Sequence, residues 1–467
     1  MIRKIAAFEE WLFPSSTSRA STLIVERLGV LAAFFYVFFA LWFLELHRGG
    51  ELLMVALLAF IGRKALGELA KEPYLWLFLI WILIVYASAL TAASEFPQWS
   101  DEIYNESRKY LRLFACLLIG WWLGGSVRSA FNILWLAFFG FLVALVLQSD
   151  LSTWVHWLSS QRFDLEDHNA QHVGLFFALS LVGFLAFRSR LIGARNNWQT
   201  YVRVFAWLLI VAFLLAGLIG TKGRASWVGF VGAFIVIAAL QGYAWWRKCS
   251  TAKVYGFSWG RRGIALTIAL TIASVAIIGT AYPSLEERLL RERDVESVSL
   301  ALQEGVEEVD PSGSMGIRVH QWHIGLHYIA ERPWFGWGPA IRWEVYESDP
   351  LGLVPDDLRL QGGFHNSYIK VAFTFGIIGL ALWGVVVLGL LWRAWVGWRE
   401  GKVPFDMAVF VTAATTVLVS AHAFNSFAQN RTGMQVGALI GGIVLAQVMA
   451  RPPKHELDAD YNESREK

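Results

Sequence analysis

The sequence predicts an all-α polytopic membrane protein with about twelve transmembrane helices, and three observations carry that prediction. Of its 467 residues 56% are hydrophobic and only 16% are charged, with a mean hydropathy of +0.47; a soluble chain of this length needs far more polar surface. Apolar runs of about 18 or more residues recur, each long enough to cross a bilayer core of about 30 Å. Many of the 24 tryptophans, among them Trp245, Trp246, Trp392, Trp395 and Trp398, stand at the ends of these runs, where an interfacial aromatic belt places them.

The opening stretch MIRKIAAFEEWLFPSS is basic but lacks the apolar core and small-residue cleavage site of a signal peptide. It predicts an interfacial helix on the inner leaflet. Spans are expected near 28–45, 51–67, 74–92, 110–125, 129–148, 171–187, 203–220, 225–245, 263–281, 367–391, 405–422 and 432–450. The second has the shortest apolar core, running into Arg63 and Lys64.

With the N-terminus inside, the inner connections carry Arg63, Lys64, Lys71, Arg128, Arg188, Arg190, Arg195, Arg247, Lys248, Arg393, Arg399 and Lys402. The short outer connections are poorer in positive charge, so the topology has both ends cytoplasmic. The chain divides into spans one to nine with the N-terminal segment (1–281), an outer loop (282–366), spans ten to twelve (367–450) and a cytoplasmic tail (451–467). An outer loop this long is usually functional. Its part PSLEERLLRERDVESVSLALQEGVEEVD has the spacing of an amphipathic helix, and a second helix should follow from MGIRVHQWH until Pro333 stops it. There is no internal repeat by inspection. Gly433, Gly437 and Gly441 recur every fourth residue in the last span, a pattern of close helix packing.

Cys116 lies in a span and Cys249 beside Arg247 and Lys248, so neither a disulfide framework nor a thiolate metal site is expected. His320, His323 and His327 share a helical spacing, but no carboxylate stands at ligand distance in sequence and an exposed helix face accounts for them; no metal is expected. Glu304, Glu307, Glu308 and Asp310 read as a solvated face.

The informative ionisable residues are those at the outer edge, where charge is expensive and tends to be functional or paired. Arg162, Lys222, Arg224, Arg318, His320, His323, His365, His422 and Arg431 all fall there, which suits an anionic substrate lying at the lipid boundary. In GTKGRASW, Gly220 and Gly223 permit a tight turn and Arg224 opens the eighth span. The free N–H groups and positive dipole of a helix start form an anion site, and arginine grips phosphate bidentately. The plain alternative is an arginine snorkelling to headgroups. Lys222 is expected to be the more exposed in the turn. The glycine–lysine likeness to a nucleotide P-loop lacks the required spacing. His365, in FHNSYIK, is mostly neutral at pH 7 and able to accept a proton; its plain alternative is a helix cap.

The order of these elements resembles the O-antigen ligase/polymerase superfamily of bacterial inner-membrane glycosyltransferases. The resemblance rests on GTKGRASWVG, on Arg318, Trp322, Ile329, Pro333, Phe335, Gly336 and Gly338 in the outer loop, and on HNSYIKVAFTFGIIGL, with His365 eleven residues before Gly376. One departure is Gly223, which stands where the family often has serine before the span-start arginine. The resemblance implies a GT-C-like enzyme without cofactor that takes a glycan from undecaprenyl diphosphate at the periplasmic face of the inner membrane. The acceptor would be a sugar hydroxyl of lipid A-core in a ligase, another lipid-linked repeat in a polymerase, or a protein Ser or Thr in an O-oligosaccharyltransferase. By position His365 matches the family's outer-loop histidine, Arg318 its outer-loop arginine and Arg224 its span-start arginine. His365 and Arg318 are then the catalytic candidates, and Arg224, Arg162 and Lys222 the diphosphate-binding ones. Metal independence follows if arginines neutralise the leaving diphosphate. The expected partners are donor, acceptor and membrane lipids, not nucleic acid. The tail is short and no hydrophilic C-terminal domain is evident, which favours a ligase. A transporter would show inverted repeats and midplane polar residues, and is the less favoured reading.

Overall fold

The structure, a computed structural model, describes residues 20–150, 162–166, 168–193, 198–251, 294–311, 313–349, 352, 354 and 363–449. Among them the regular structure is helical, apart from one antiparallel bridge between Leu165 and His168. In order the helices are α1 (Ala20–Phe38), α2 (Leu44–Ile61), α3 (Arg63–Leu69), α4 (Pro73–Glu95), α5 (Ser100–Lys109), α6 (Ala115–Leu123), α7 (Val127–Leu147), α8 (Ala170–Ala186) and α9 (Arg188–Ile192). Then follow α10 (Trp198–Gly220), α11 (Arg224–Thr251), α12 (Asp294–Gln303), α13 (Ser314–Glu331), α14 (Arg342–Ser348), α15 (Ser367–Arg399), α16 (Phe405–Phe424) and α17 (Arg431–Val448).

Six of these, α4, α7, α10, α11, α15 and α16, are long and apolar enough to cross a membrane by themselves. The chain is thus a multi-pass helical membrane protein. The expected span at 263–281, the N-terminal interfacial segment and the tail lie outside the described residues. Every other expected span holds helix, but three differ from expectation in instructive ways. The second starts at Leu44 rather than 51, because His47 faces inward, bonded to Tyr36 O at 2.6 Å and to Gln435 Nε2 at 2.7 Å. A polar residue satisfied inside the bundle does not end a span.

The fourth, 110–125, is not one helix. It is α5, a 3-10 turn at Arg112–Phe114 and the nine-residue α6. Phe78 of α4 stacks on Phe114 at 4.8 Å and Trp81 Nε1 donates to Tyr110 O at 2.9 Å, so the break lies alongside the α4 span and not beyond its end. The tenth is interrupted at Gly376, whose φ of 66° and ψ of −172° are non-helical. In the outer loop, α12 and a 3-10 turn at Val306–Glu308 stand within the expected amphipathic helix, and Glu304, Glu307, Glu308 and Asp310 are exposed as expected. The second loop helix, α13, stops just before Pro333.

Helices pack closely where glycine removes the side chain. Gly437 and Gly441 of α17 lie against Leu113 and Cys116, Gly442 against Ile119, and Gly120 of α6 against Leu445, so the glycine repeat is a packing face, as its spacing indicated. Gly229 of α11 meets Val417 and Ser420 of α16 in the same manner.

Polar contacts between distant segments sort the bundle into two ends. At one end Arg431 Nη2 donates to Ala40 O (2.6 Å), His168 Nε2 bonds Leu41 O (3.0 Å), Arg332 pairs with Glu95 (2.7 Å) and Trp99 Nε1 donates to Glu344 (2.7 Å). At the other, Arg190 forms a two-point ion pair with Asp406 and Arg393 with Glu72, and Gly125 N donates to Ala446 O. Each contact joins segments assigned to the same side by the charge rule, so the first end gathers the connections expected outside.

Candidate functional site

His365 and Arg318 come together at that first end. Helix α13 lies against the start of α15 through Gly325, where a Cβ would fall 2.5 Å from Ile369 and 3.0 Å from Phe364. Trp322 Nε1 then donates to Phe364 O at 3.0 Å, fixing the carbonyl just ahead of His365. Arg318, one turn before Trp322 on the same helix, acts electrostatically on His365. Burial, aided by the Arg318 charge, lowers the His365 pKa below the ordinary histidine value.

The backbone at His365 is left-handed, with φ of 41°. Asn366 next to it caps α15, its Oδ1 accepting from Tyr368 N (2.9 Å) and Ile369 N (3.2 Å). The capping role weighed for His365 therefore belongs to its neighbour. Non-glycine residues hold such a φ at a cost of about 1–3 kcal/mol, which the surroundings must impose. Ser367 supplies part of that frame. Its Oγ donates to Asn425 O (2.7 Å) and accepts from Ala428 N (3.0 Å) and His422 Nδ1 (2.8 Å), tying the α16–α17 connection to the start of α15.

The second group forms around the turn between α10 and α11. Phe163 N donates to Gly220 O at 3.0 Å and Arg162 Nε to Thr221 O at 3.2 Å, so the segment ahead of α8 runs along this turn. Lys222 also has a left-handed backbone, φ 52°, and is 6% exposed. This corrects the expectation that it would be the exposed member; Arg162 is exposed instead. The sharp turn directs the lysine inward while Arg224, half-buried, opens α11. Four non-glycine residues among those described have left-handed backbones, and two of them, Lys222 and His365, are sequence-selected candidates.

The start of α8 bridges the two groups. Gly174 lets Thr221 and Ser226 approach, a Cβ there falling 2.9 Å from both hydroxyls. Two residues earlier His172 bonds Thr432 Oγ1 at 3.0 Å and its ring lies 5.0 Å from that of Phe427, in the connection held by Ser367. All five candidates thus occupy one end of the bundle, in two groups joined by α8. An apolar cavity of about 400 Å³ extends from Leu41 near this end to Arg190 near the other.

The motif P-x-F-G-x-G explains the break in α15. Trp337 N and Gly338 N donate to Phe373 O (2.8 Å) and Thr374 O (3.0 Å), while Pro333 O and Trp334 O accept from Ile377 N (2.7 Å) and Ile378 N (3.4 Å). The loop therefore bonds the backbone groups that interruption of the helix sets free. Gly336 (φ 70°) and Gly376 (φ 66°) meet backbone to backbone, and no other residue fits either place.

The three loop histidines do not share one exposed face. His320 is buried and bonded to Val309 O at 2.8 Å, whereas His327 bonds back to His323 O. Among the described residues no group of three His, Cys, Asp or Glu could hold a metal ion. Sequence reasoning missed the role of Ser367, which looks like an ordinary helix-start serine, and singled out Trp322 without its function.

Such a bundle is that of a multi-pass membrane protein, with His365 and several cationic side chains gathered at one of its ends. A family model described as O-antigen ligase matches residues 209–384. That segment contains Lys222, Arg224, Arg318, the segment Pro333–Gly338, His365 and Gly376, and the match supports the O-antigen ligase superfamily, whose members are glycosyltransferase-like enzymes. Arg162 lies outside the match. A search of curated proteins gave no match.

Proposed function

We propose that the protein is a lipopolysaccharide O-antigen ligase of the bacterial inner membrane, transferring glycan from undecaprenyl diphosphate to a sugar hydroxyl of lipid A-core at the periplasmic face. The single observation carrying this reading is the packing of α13, which bears Arg318, against the chain from Phe364 to Ile369, which bears His365, at the same end of the bundle as the Thr221–Arg224 turn. In the full topology twelve spans set both termini in the cytoplasm and this end in the periplasm.

The donor diphosphate is a good leaving group, so the step needs charge neutralisation more than protonation. Arg224 and the N–H groups opening α11 hold the diphosphate, with Lys222 and Arg162 at the same turn, and Arg318 stabilises charge as it departs. His365 takes the proton from the acceptor hydroxyl while that oxygen attacks the anomeric carbon. The new carbon–oxygen bond forms as the bond to diphosphate breaks, inverting that carbon in one displacement. Cationic side chains do the neutralising, so the reaction proceeds without metal. The polyprenyl chain lies among the apolar spans, for which the cavity between Leu41 and Arg190 offers room.

The test is transfer in detergent with undecaprenyl-diphosphate glycan and lipid A-core, EDTA present, comparing wild type with His365→Ala and Arg224→Ala. Product from wild type alone is expected. Activity surviving in His365→Ala removes the general base. Donor chains that lengthen while lipid A-core is ignored make the protein a polymerase, and transfer to protein hydroxyls an O-oligosaccharyltransferase.

A further inference from the structure

A second cavity, of about 440 Å³, lies where α2 and α4 face the broken α5–α6 crossing. None of the candidate-site side chains lines it. Its wall is apolar, with Leu58, Phe78 and Leu118, but Glu51, Arg108 and Arg112 also face it. The stacking of Phe78 on Phe114 sets this charged trio alongside a membrane span. Charge at such depth is costly unless paired or given a polar ligand.

The pairing inside the protein is incomplete. Neither guanidinium makes a hydrogen bond or an ion pair within 4 Å with any described residue, and Arg108 is exposed. Arg112 acts on Glu51 electrostatically, yet one carboxylate against two guanidiniums leaves a positive balance. Arg108 and Arg112 stand four residues apart through the end of α5 and the 3-10 turn, a spacing that points two guanidiniums the same way. Two forks side by side fit the oxygens of a phosphate, and the apolar wall below them fits a hydrocarbon chain.

We infer that this cavity binds an anionic glycerophospholipid, its phosphate on Arg108 and Arg112 and one acyl chain against Leu58, Phe78 and Leu118. The cavity shares no lining residue with the one between Leu41 and Arg190, which separates the site from that of the donor.

The test uses the full chain in nanodiscs containing phosphatidylglycerol and phosphatidylcholine with matched acyl chains, followed by native mass spectrometry. Wild type should retain phosphatidylglycerol preferentially, and Arg108→Gln or Arg112→Gln should each cut the preference about fivefold, as expected for one basic side chain at an anionic lipid. Leu118→Trp, which fills the trough and leaves the charges, should release the bound lipid. Equal retention of the two lipids, an unchanged preference in Arg108→Gln, or retention undisturbed by Leu118→Trp overturns the inference. Displacement of phosphatidylglycerol by equimolar undecaprenyl phosphate overturns it as well. Arg108 is exposed, so its replacement should not disturb folding, and transfer activity checks the integrity of each variant.

Discussion

Replacing Gly376 by alanine tests the seam between the outer loop and α15. At φ 66° and ψ −172° the position lies in a region populated almost solely by glycine, where another residue costs about 1–3 kcal/mol. The added Cβ would also collide with the backbone of Trp334. Relief requires the loop to move away, which breaks the bonds from Trp337 N, Gly338 N and Ile377 N, each contributing about 1 kcal/mol. The expected loss is roughly 4–6 kcal/mol, read as a lower thermal midpoint of the purified protein in detergent. Transfer activity should fall with it, because the loop that carries Arg318 is fastened here. Gly336→Ala, whose Cβ would lie 2.5 Å from Phe373 O, should behave alike. Gly384→Ala, further along the same helix with nothing within 4 Å of its Cβ, should be neutral or slightly stabilising. A Gly376→Ala protein with wild-type midpoint and wild-type transfer would refute the account of the seam.

His365→Ala should reduce the transfer rate by about 10²–10⁴-fold without lowering the thermal midpoint appreciably, measured by product formation under saturating donor. The pH profile carries a sign. Burial and Arg318 lower the His365 pKa, so the neutral form that accepts a proton persists below pH 6.5 and activity declines only under that depressed value. Arg318→Gln removes one cause of the shift, raises the His365 pKa and should move the acid limb to higher pH; an unmoved limb separates the two residues. Gly441→Leu, where a Cβ already lies 3.0 Å from Cys116 and Leu390, should destabilise the α6–α17 contact by about 1–3 kcal/mol, checked by denaturation in detergent. Lys370 is 1% exposed and, among the described residues, its Nζ has no hydrogen-bond partner, so Lys370→Met should stabilise by about 1–3 kcal/mol; a lower midpoint would show that the ammonium is held electrostatically.

Hydropathy made the spans legible because crossing a bilayer requires long apolar runs, and tryptophan and arginine placement located their ends. What it could not reveal was polarity sheltered by tertiary contact. His47 made the start of α2 look too polar for a span, yet Tyr36 and Gln435 satisfy it from helices elsewhere in the chain. The charges at Arg108 and Lys109 lie ahead of the expected start of the fourth span at 110, whereas α5 already packs beside α4 before that point. The run after His365 reads as one continuous helix, and the partner that interrupts it lies about forty residues upstream. At the site, residue type and helix-start position single out Arg224 and His365, which the structure sets at the same end of the bundle. The inward course of Lys222 depends on a left-handed turn, and that of His320 on a bond to Val309; neither leaves a local pattern. Ser367 is the clearest omission, since its significance lies in the three segments that its hydroxyl joins.

The contacts of α13 define where a chimaera of this protein can be cut. Arg318 takes its position from Trp322 and Gly325 against Phe364 and Ile369, and the same stretch of chain is sewn into α15 as far as Ile378. A graft of the outer loop that ends at the helix start would import one half of a matched surface and leave the other behind. Junctions at Gly313 and Gly379 keep both halves together. A chimaera built with that longer cassette should therefore fold and retain transfer, whereas one built with the loop alone should lose both.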